Sequence, residues 1–217
     1  MSLLDDEALW RSSVVANCAM NRERGLAGYR RELGTDLALP PGTRWVDLCC
    51  GSGRALAEAA RDDVTITGVD LVDHHVPERP GLRFVTAPAD RWEPPAPVDL
   101  VTCVHGLHYV GDKLCLLTRA VSWLAPGGRF IANFDVASVR RADGSAYGRV
   151  LTTALRAAGF VYDNRKRLVS FTGAGRPALP FDYLGADDRA GPNYTGQPAV
   201  HSRYATQDRG AATTPAR

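Results

Sequence analysis

Between Arg44 and Phe134 the chain repeats one pattern: a short apolar run, a turn of small or polar residues, then a stretch of helix formers. Arg44–Leu48 predicts a buried strand, and residues 54–60, dense in Ala and Leu, predict the helix after it. Further strands are predicted over 64–69, 82–85, 98–104 and 129–134, where β-branched and aromatic residues gather. Helices are predicted over 112–123 and 146–158, the second ended by Gly159, and Pro126-Gly127-Gly128 marks a turn. The stretches 161–171 and 179–184 predict a final strand pair. Strands that alternate with helices imply a mostly parallel sheet covered on both faces, an α/β, Rossmann-like architecture.

The flanks carry other patterns. No proline occurs from Asp5 to Leu33, and Leu9, Val14, Val15, Met20, Leu26 and Tyr29 recur at helical intervals. One or two helices are expected there, broken near Gly25 or Gly28 and capped by Gly34. The expected organisation is an N-terminal helical cap over 1–35, the α/β domain over 36–186, an irregular arm over 187–206 rich in Gly, Pro, Asn and Asp, and a small, polar tail over 207–217 expected to be disordered.

Composition narrows the function classes. With 45% hydrophobic and 23% charged residues in 217, the chain can bury a full core in one domain. A formal net charge of +2, with arginines interleaved among Asp and Glu, argues against a dedicated nucleic-acid binder. The five cysteines form no CxxC pair and no zinc-type spacing with histidine, so no metal and reduced thiols are expected. Residues 1–10 hold three acids and no apolar run, and no stretch reaches the roughly 18 apolar residues of a membrane span. A soluble, cytoplasmic protein without membrane contacts is expected, its oligomeric state left open.

The chemistry concentrates after two strands. In Val46-Asp47-Leu48-Cys49-Cys50-Gly51-Ser52-Gly53, the glycines let backbone approach a ligand and the next helix offers unpaired N–H groups. A glycine turn alone serves many nucleotide sites and purely structural turns. Asp47 would repel a pyrophosphate but suits a ligand with a cationic amino group. Asp70 closes the second strand 17 residues after Gly53, near the offset at which a carboxylate accepts hydrogen bonds from ribose hydroxyls, with Leu71 beside it. After the fourth strand comes Cys103-Val104-His105-Gly106-Leu107-His108-Tyr109, at the carboxyl edge of the sheet where ligands bind in such folds. A histidine titrating near neutrality can take a proton from an oxygen nucleophile. His108 is the candidate base, and His105 a cofactor or substrate contact; packed histidines bonded to backbone are the alternative for both.

These motifs, in this order, resemble the class I S-adenosylmethionine-dependent methyltransferases. The acid-plus-glycine loop matches Asp47 through Gly53, with Cys49 where a glycine is usual; the ribose acid matches Asp70. The fourth strand resembles Val98-Asp99-Leu100-Val101-Thr102-Cys103-Val104-His105, and the turn before the fifth resembles Leu124-Ala125-Pro126-Gly127-Gly128. The resemblance spans about residues 43–184. It implies a seven-stranded sheet whose last strand is antiparallel and inserted beside strand five, and S-adenosyl-L-methionine as cofactor. The implied contacts are Asp47, Cys49, Gly51, Ser52, Gly53, Asp70, Leu71, Val104 and His105, with Ala89 or Asp90 at the adenine and Tyr29 or an arginine of the cap reaching the methionine carboxylate. The register over Ala87-Pro88-Ala89-Asp90-Arg91-Trp92 stays open: if Trp92 fills the apolar position, Pro88 and Ala89 face adenine and Asp90 points elsewhere.

The expected function is methyl transfer to oxygen or nitrogen of a small-molecule acceptor, plausible in secondary metabolism. Asp187, Asp188, Asn193, Tyr194 and Gln197 either line an acceptor pocket or form a surface arm. Trp45 and Trp123 are expected in the core, as is Cys103, which lacks the neighbouring proline of covalent pyrimidine methyltransferases. No Asn/Asp-Pro-Pro-aromatic tetrad points to a nucleic-acid base. An NAD-dependent oxidoreductase shares a glycine turn and a carboxylate, but Asp47, and Leu56 where a third fingerprint glycine belongs, weigh against it. A noncatalytic nucleoside-binding protein on the same fold is the third reading.

Overall fold

The computed structural model describes residues 3–16 and 24–207. Ten strands and five helices are set out in chain order: α1 Asp6–Trp10, α2 Leu26–Leu33, β1 Arg44–Leu48, α3 Arg54–Ala59, β2 Thr65–Asp70, β3 Leu82–Thr86, β4 Val98–Cys103, α4 Lys113–Ser122, β5 Leu124–Asn133, β6 Val139–Arg141, α5 Arg149–Ala157, β7 Val161–Asp163, β8 Leu168–Thr172, β9 Phe181–Asp187 and β10 His201–Thr206. Seven strands form the central sheet in the order β3-β2-β1-β4-β5-β8-β7. β1 lies parallel to both β2 and β4, β2 to β3, and β4 to β5, while β8 runs against both its neighbours, β5 and β7. The antiparallel strand beside the fifth is thus where the resemblance implied.

The local reasons follow the sequence. β1 buries Trp45, Val46, Asp47 and Leu48 in succession, as a strand covered on both faces must. Asp112 caps α4 by accepting from the Cys115 N–H at 3.0 Å, and Gly34 ends α2 in the left-handed region that glycine enters freely. Trp45, Trp123 and Cys103 are buried as expected. Pro126-Gly127-Gly128 is no separate turn: it lies within β5, and the β4–β5 register jumps there from Val98↔Leu124 to Leu100↔Arg129, a bulge that absorbs the extra residues.

Two expectations at the C-terminal end are corrected. The stretches 161–171 and 179–184 do not pair with each other: the first folds on itself as the β7–β8 hairpin at the sheet edge, and the second becomes β9 of a separate three-stranded sheet, ordered β6-β10-β9. The central sheet therefore ends at Thr172, short of residue 186. The arm expected to be irregular over 187–206 contains β10, antiparallel to β9 and parallel to β6. Ser202 and Tyr204 face inward there and alternate with more exposed neighbours, but a buried serine disguises the period-two pattern. The tail over 208–217, and Cys18 and Met20 of the cap, lie outside the described residues.

A buried lysine fastens the small sheet to the large one. The Lys113 ammonium donates to the Val110 and Val200 carbonyls at 2.7 and 3.0 Å and to the Ser202 hydroxyl at 2.8 Å. Its three donors are all used, which a buried ammonium requires. Burial nevertheless pushes its pKa down to about 7. The Tyr204 hydroxyl adds a bond to Asp112 at 2.9 Å, and the Val200 N–H donates to the His108 carbonyl at 2.8 Å.

Candidate active site

The sheet order reverses at β1, so a crevice opens where β1 and β4 end, the switch point at which open α/β sheets hold ligands. Two cavities lie there. One, of about 730 Å³ and open to solvent, is lined by Tyr29, Gly51, Ser52, Val104, His105 and His108, together with Arg24, Arg54, Asn193, Thr195 and Gln197. The other, of about 500 Å³, is lined by Trp10, Val15, Asp70, Leu71, Pro88, Ala89, Asp90 and Val110. Cys49 and Tyr109 line both, and so form the wall that the two share.

The loop between β1 and α3 explains its own sequence. Cys49 has φ +57°, the left-handed region that glycine enters most cheaply, which is the physical reason a glycine is usual at this place. Gly53 is also left-handed, but it does not line either cavity: a Cβ there would collide with the Phe84 ring, so this glycine serves close packing of the loop on β3. Gly106 likewise leaves room for the Cys49 side chain, which an added Cβ would strike.

Asp70 ends β2 on the wall of the second cavity. Its carboxylate accepts from the Gly51 N–H at 2.8 Å and the Val72 N–H at 3.1 Å, one bond per oxygen, which leaves each oxygen a further lone pair. Burial raises its pKa, against the pull of those backbone donors.

Asp47 lies one strand away, and its place corrects the expectation of direct contact. It is fully buried and lines neither cavity. Its oxygens accept from the hydroxyls of Tyr29, at 2.8 Å, and of Thr102, which in turn accepts from Trp45 Nε1 at 2.8 Å. Burial pushes its pKa up to about 7, partly offset by the two hydroxyls. Tyr29 does line the first cavity, but its hydroxyl is committed to Asp47 and not held out for a carboxylate. Arg24 of the cap lines the same cavity and has no carboxylate partner among the described residues. Of the other cap arginines, Arg30 pairs with Asp36 at 3.2 Å, and Arg22 lies outside the described residues.

Past β4 the chain makes a 3-10 turn, Gly106–His108, entered through a left-handed His105 with φ +59°. The Asn133 Oδ1 accepts from the His105 N–H at 3.2 Å. The His105 Nε2 meets Glu32 Oε2 at 3.1 Å, and its Nδ1 meets the Tyr194 hydroxyl at 3.5 Å. Tyr194 packs under the Arg167 guanidinium, 4.0 Å from the ring centroid, and against the edge of His108. His108 is 1% exposed and its Nε2 has no partner among the described residues. Burial, reinforced by His105, Lys113, Arg167 and Arg24, pushes its pKa down to about 3. A base matched to neutral pH is therefore not what this environment makes of His108.

Of the remaining expectations, Cys49, Gly51, Ser52, Asp70, Leu71, Ala89, Asp90, Val104, His105 and Tyr29 all line the paired cavities. Ala89 and Asp90 both face the second one, so the open register does not force a choice between them; Asp90 Oδ1 is buried with no partner among the described residues. Asn193 and Gln197 of the arm line the first cavity, whereas Asp187 pairs with Arg203 at 3.5 Å and Asp188 accepts from Ser12 at 2.6 Å. Sequence reasoning missed Glu32, Thr102, Asn133 and Arg167. Each acts through a partner distant in the chain, Glu32 on the His105 ring and Asn133 on the same residue's backbone, and no local spacing signals it.

With this geometry in place, the comparisons decide the family. A model described as "Methyltransferase domain" matches residues 19–167, well over half of the chain. The chain belongs to the methyltransferase-domain family. S-adenosylmethionine is the cofactor that goes with this family. The chain is 33% identical over 106 residues to the 27-O-demethylrifamycin SV methyltransferase of Amycolatopsis mediterranei, a match covering 43% of this chain and 39% of that protein. It is 32% identical over 108 residues to the demethylmenaquinone methyltransferase of Beutenbergia cavernae, covering 48% and 45%. In these matches the chain spans less than half the length of its curated relatives. Among solved structures, a methyltransferase in complex with the Haloferax volcanii Trm112 methyltransferase activator superposes with a TM-score of 0.51 at 17% identity, over 76% of this chain and 96% of that one, which shows a shared methyltransferase fold. Among the described residues no helix is long and apolar enough to cross a membrane, and no cluster of His, Cys, Asp or Glu could hold a metal.

Proposed function

We propose that this chain transfers the methyl group of S-adenosylmethionine to an oxygen or nitrogen of a small molecule. The observation that carries the reading is the pair of cavities that share Cys49 and Tyr109 as lining, with a ribose-type carboxylate on one side and two histidines on the other. The donor set fits the cofactor. Asp70 has lone pairs to spare for two hydroxyls, Leu71, Ala89 and Val110 offer apolar surface to a purine, and Asp90 Oδ1 is an acceptor without a partner among the described residues. On the other side the Gly51–Ser52 backbone and Arg24 face a carboxylate, while Tyr29 carries the charge of Asp47 to the cavity wall for an ammonium. Once bound, the cofactor supplies an electrophilic methyl on a sulfonium sulfur.

The protein's own contribution is placement. An acceptor held against that methyl by Asn193, Thr195, Gln197 and His108 gains from orientation alone. His108, neutral at physiological pH, contributes to the wall of the cavity and not a charge. The near-neutral charge and the absence of a basic stripe speak against a nucleic-acid acceptor. A place in secondary metabolism draws support from the rifamycin relative.

Calorimetric titration of the full chain with S-adenosylmethionine, S-adenosylhomocysteine and NADH tests the reading. Heat is expected from the first two and none from the third. Binding of NADH alone contradicts it.

A further inference from the structure

The proton acceptor of the site is a question the sequence leaves between two histidines, and their surroundings separate them. His108 is enclosed and has no carboxylate partner among the described residues; His105, Lys113, Arg167 and Arg24 all disfavour a positive charge on it. His105 lines the same cavity but holds Glu32, reached across 73 residues from the cap helix α2, on its Nε2 at 3.1 Å. A carboxylate takes only a hydrogen-bond donor, so this contact puts the proton of the neutral ring on Nε2 and leaves the lone pair on Nδ1. Nδ1 is the atom that the Tyr194 hydroxyl approaches at 3.5 Å, so a hydroxyl oxygen can reach that lone pair in the folded protein. The backbone supports the same placement: His105 is held left-handed, with its N–H on Asn133, and a residue kept in that conformation at a cavity wall is a usual mark of functional strain.

We infer that His105 is the general base for a hydroxyl acceptor, and that Glu32 is its positioning residue, delivered by the docking of the N-terminal cap. The inference rests on the methyl-transfer reading. In the step, the acceptor O–H proton passes to His105 Nδ1 as the oxygen forms its bond to the methyl carbon. The sulfur–methyl bond breaks and its electron pair returns to sulfur. Glu32 stabilises the resulting imidazolium, a role a carboxylate fills by fixing the ring and opposing its charge. Burial and then Arg24, ahead of α2, hold the His105 pKa below its ordinary value, and Glu32 from α2 raises it against them; His108, at a ring separation of 5.6 Å, and Tyr194 from the arm, itself under Arg167, also face the ring. The opposing carboxylate is what His108 lacks.

The test uses the full chain as wild type, E32Q, E32D, H105Q and H108Q. S-adenosylhomocysteine titration comes first: no binding by wild type overturns the methyl-transfer reading itself, whereas affinity kept within about threefold in E32Q shows that any later effect concerns the base alone. Nitrogen-15 histidine spectra of the S-adenosylhomocysteine complex, with His105 assigned by its loss in H105Q, should show the Nε2–H tautomer and a titration midpoint that moves to lower pH in E32Q. With catechol as a hydroxyl probe, kcat should fall at least tenfold in E32Q and H105Q with the KM for S-adenosylmethionine little changed. The acidic limb of the E32Q profile should shift downward, and E32D should recover part of the loss. An Nδ1–H tautomer, or a His105 midpoint the same in wild type and E32Q, overturns the inference. So does a wild-type-like pH profile in H105Q with the acidic limb abolished in H108Q.

Discussion

The two cavities at the end of the sheet are built in different ways. The polar edge of the side holding Asp70 comes from the β1–α3 loop, the end of β2 and the turn after β3, each a few residues long and tied by bonds such as Gly51 N–H to the Asp70 carboxylate, while Trp10, Val15, Tyr109 and Val110 close that cavity from outside. The side holding His105 and His108 is assembled from α2, the turn after β4 and an arm that arrives from the second sheet, with contacts spanning 73 and 89 residues. The carboxylate edge of the first is set as soon as three neighbouring strands pair. The second exists only when the cap and the small sheet are docked. A binding surface shared by many chemistries can be local and rigid, while the part that selects an acceptor is free to be carried by elements outside the sheet.

That contrast can be broken at several points. Asp47 lies beneath the Tyr29 side of the site, and its burial should make the ligand-free protein pH-sensitive. Its pKa is about 7 when folded and near 3.9 when unfolded, so between those values the folded chain keeps a proton that the unfolded chain has released. Stability from this group is then present at low pH and lost as pH rises towards 7. Asp47→Asn should remove the difference, raising the melting temperature at pH 8 relative to wild type by the equivalent of up to about 4 kcal/mol. Thermal melts of both proteins at pH 5 and pH 8 check it; His108, whose contribution changes with opposite sign between about pH 3 and its unfolded value near 6.5, is common to both and cancels. A parallel pH dependence in the two proteins removes Asp47 from this role.

Asp70→Ala should weaken S-adenosylmethionine binding tenfold or more, since charge-assisted hydrogen bonds of about 1.5–3 kcal/mol are lost. An unchanged dissociation constant takes Asp70 out of the site. Gly53→Ala should lower stability by about 1–3 kcal/mol, from a left-handed alanine whose Cβ presses on the Phe84 ring; chemical denaturation measures it. The smallest effect is expected across the divide: Tyr194→Ala on the arm should change S-adenosylhomocysteine affinity by less than about twofold, because its contacts are with His105, His108 and Arg167 and not with the Asp70 side. A tenfold loss there would show that the two sides are one cooperative unit.

How far the sequence could be read follows the same division. Asp70, Gly51, Ser52 and the central strands announce themselves because strand period, glycine turns and a carboxylate at a strand end are all local signals. Asp47 was legible as chemistry but not as depth: nothing nearby tells that Tyr29 and Thr102 will cover it. Gly53 was legible as a glycine but not for its reason, which is a phenylalanine on another strand. Glu32 gave no local signal, since its partner lies in a turn 73 residues on. β10 escaped because its inward positions are a serine and a tyrosine, and Ser202 is satisfied by Lys113 and Gly111, which only the tertiary structure brings to it.

The most direct measurement is a crystal structure of the full chain with S-adenosylhomocysteine. The ligand should lie across the wall formed by Cys49 and Tyr109, with its ribose hydroxyls on Asp70 and its amino-acid end on the Tyr29 and Arg24 side. A nucleoside found away from Asp70, or confined to one cavity with the other end outside the crevice, would contradict the joint site on which the proposed transfer depends.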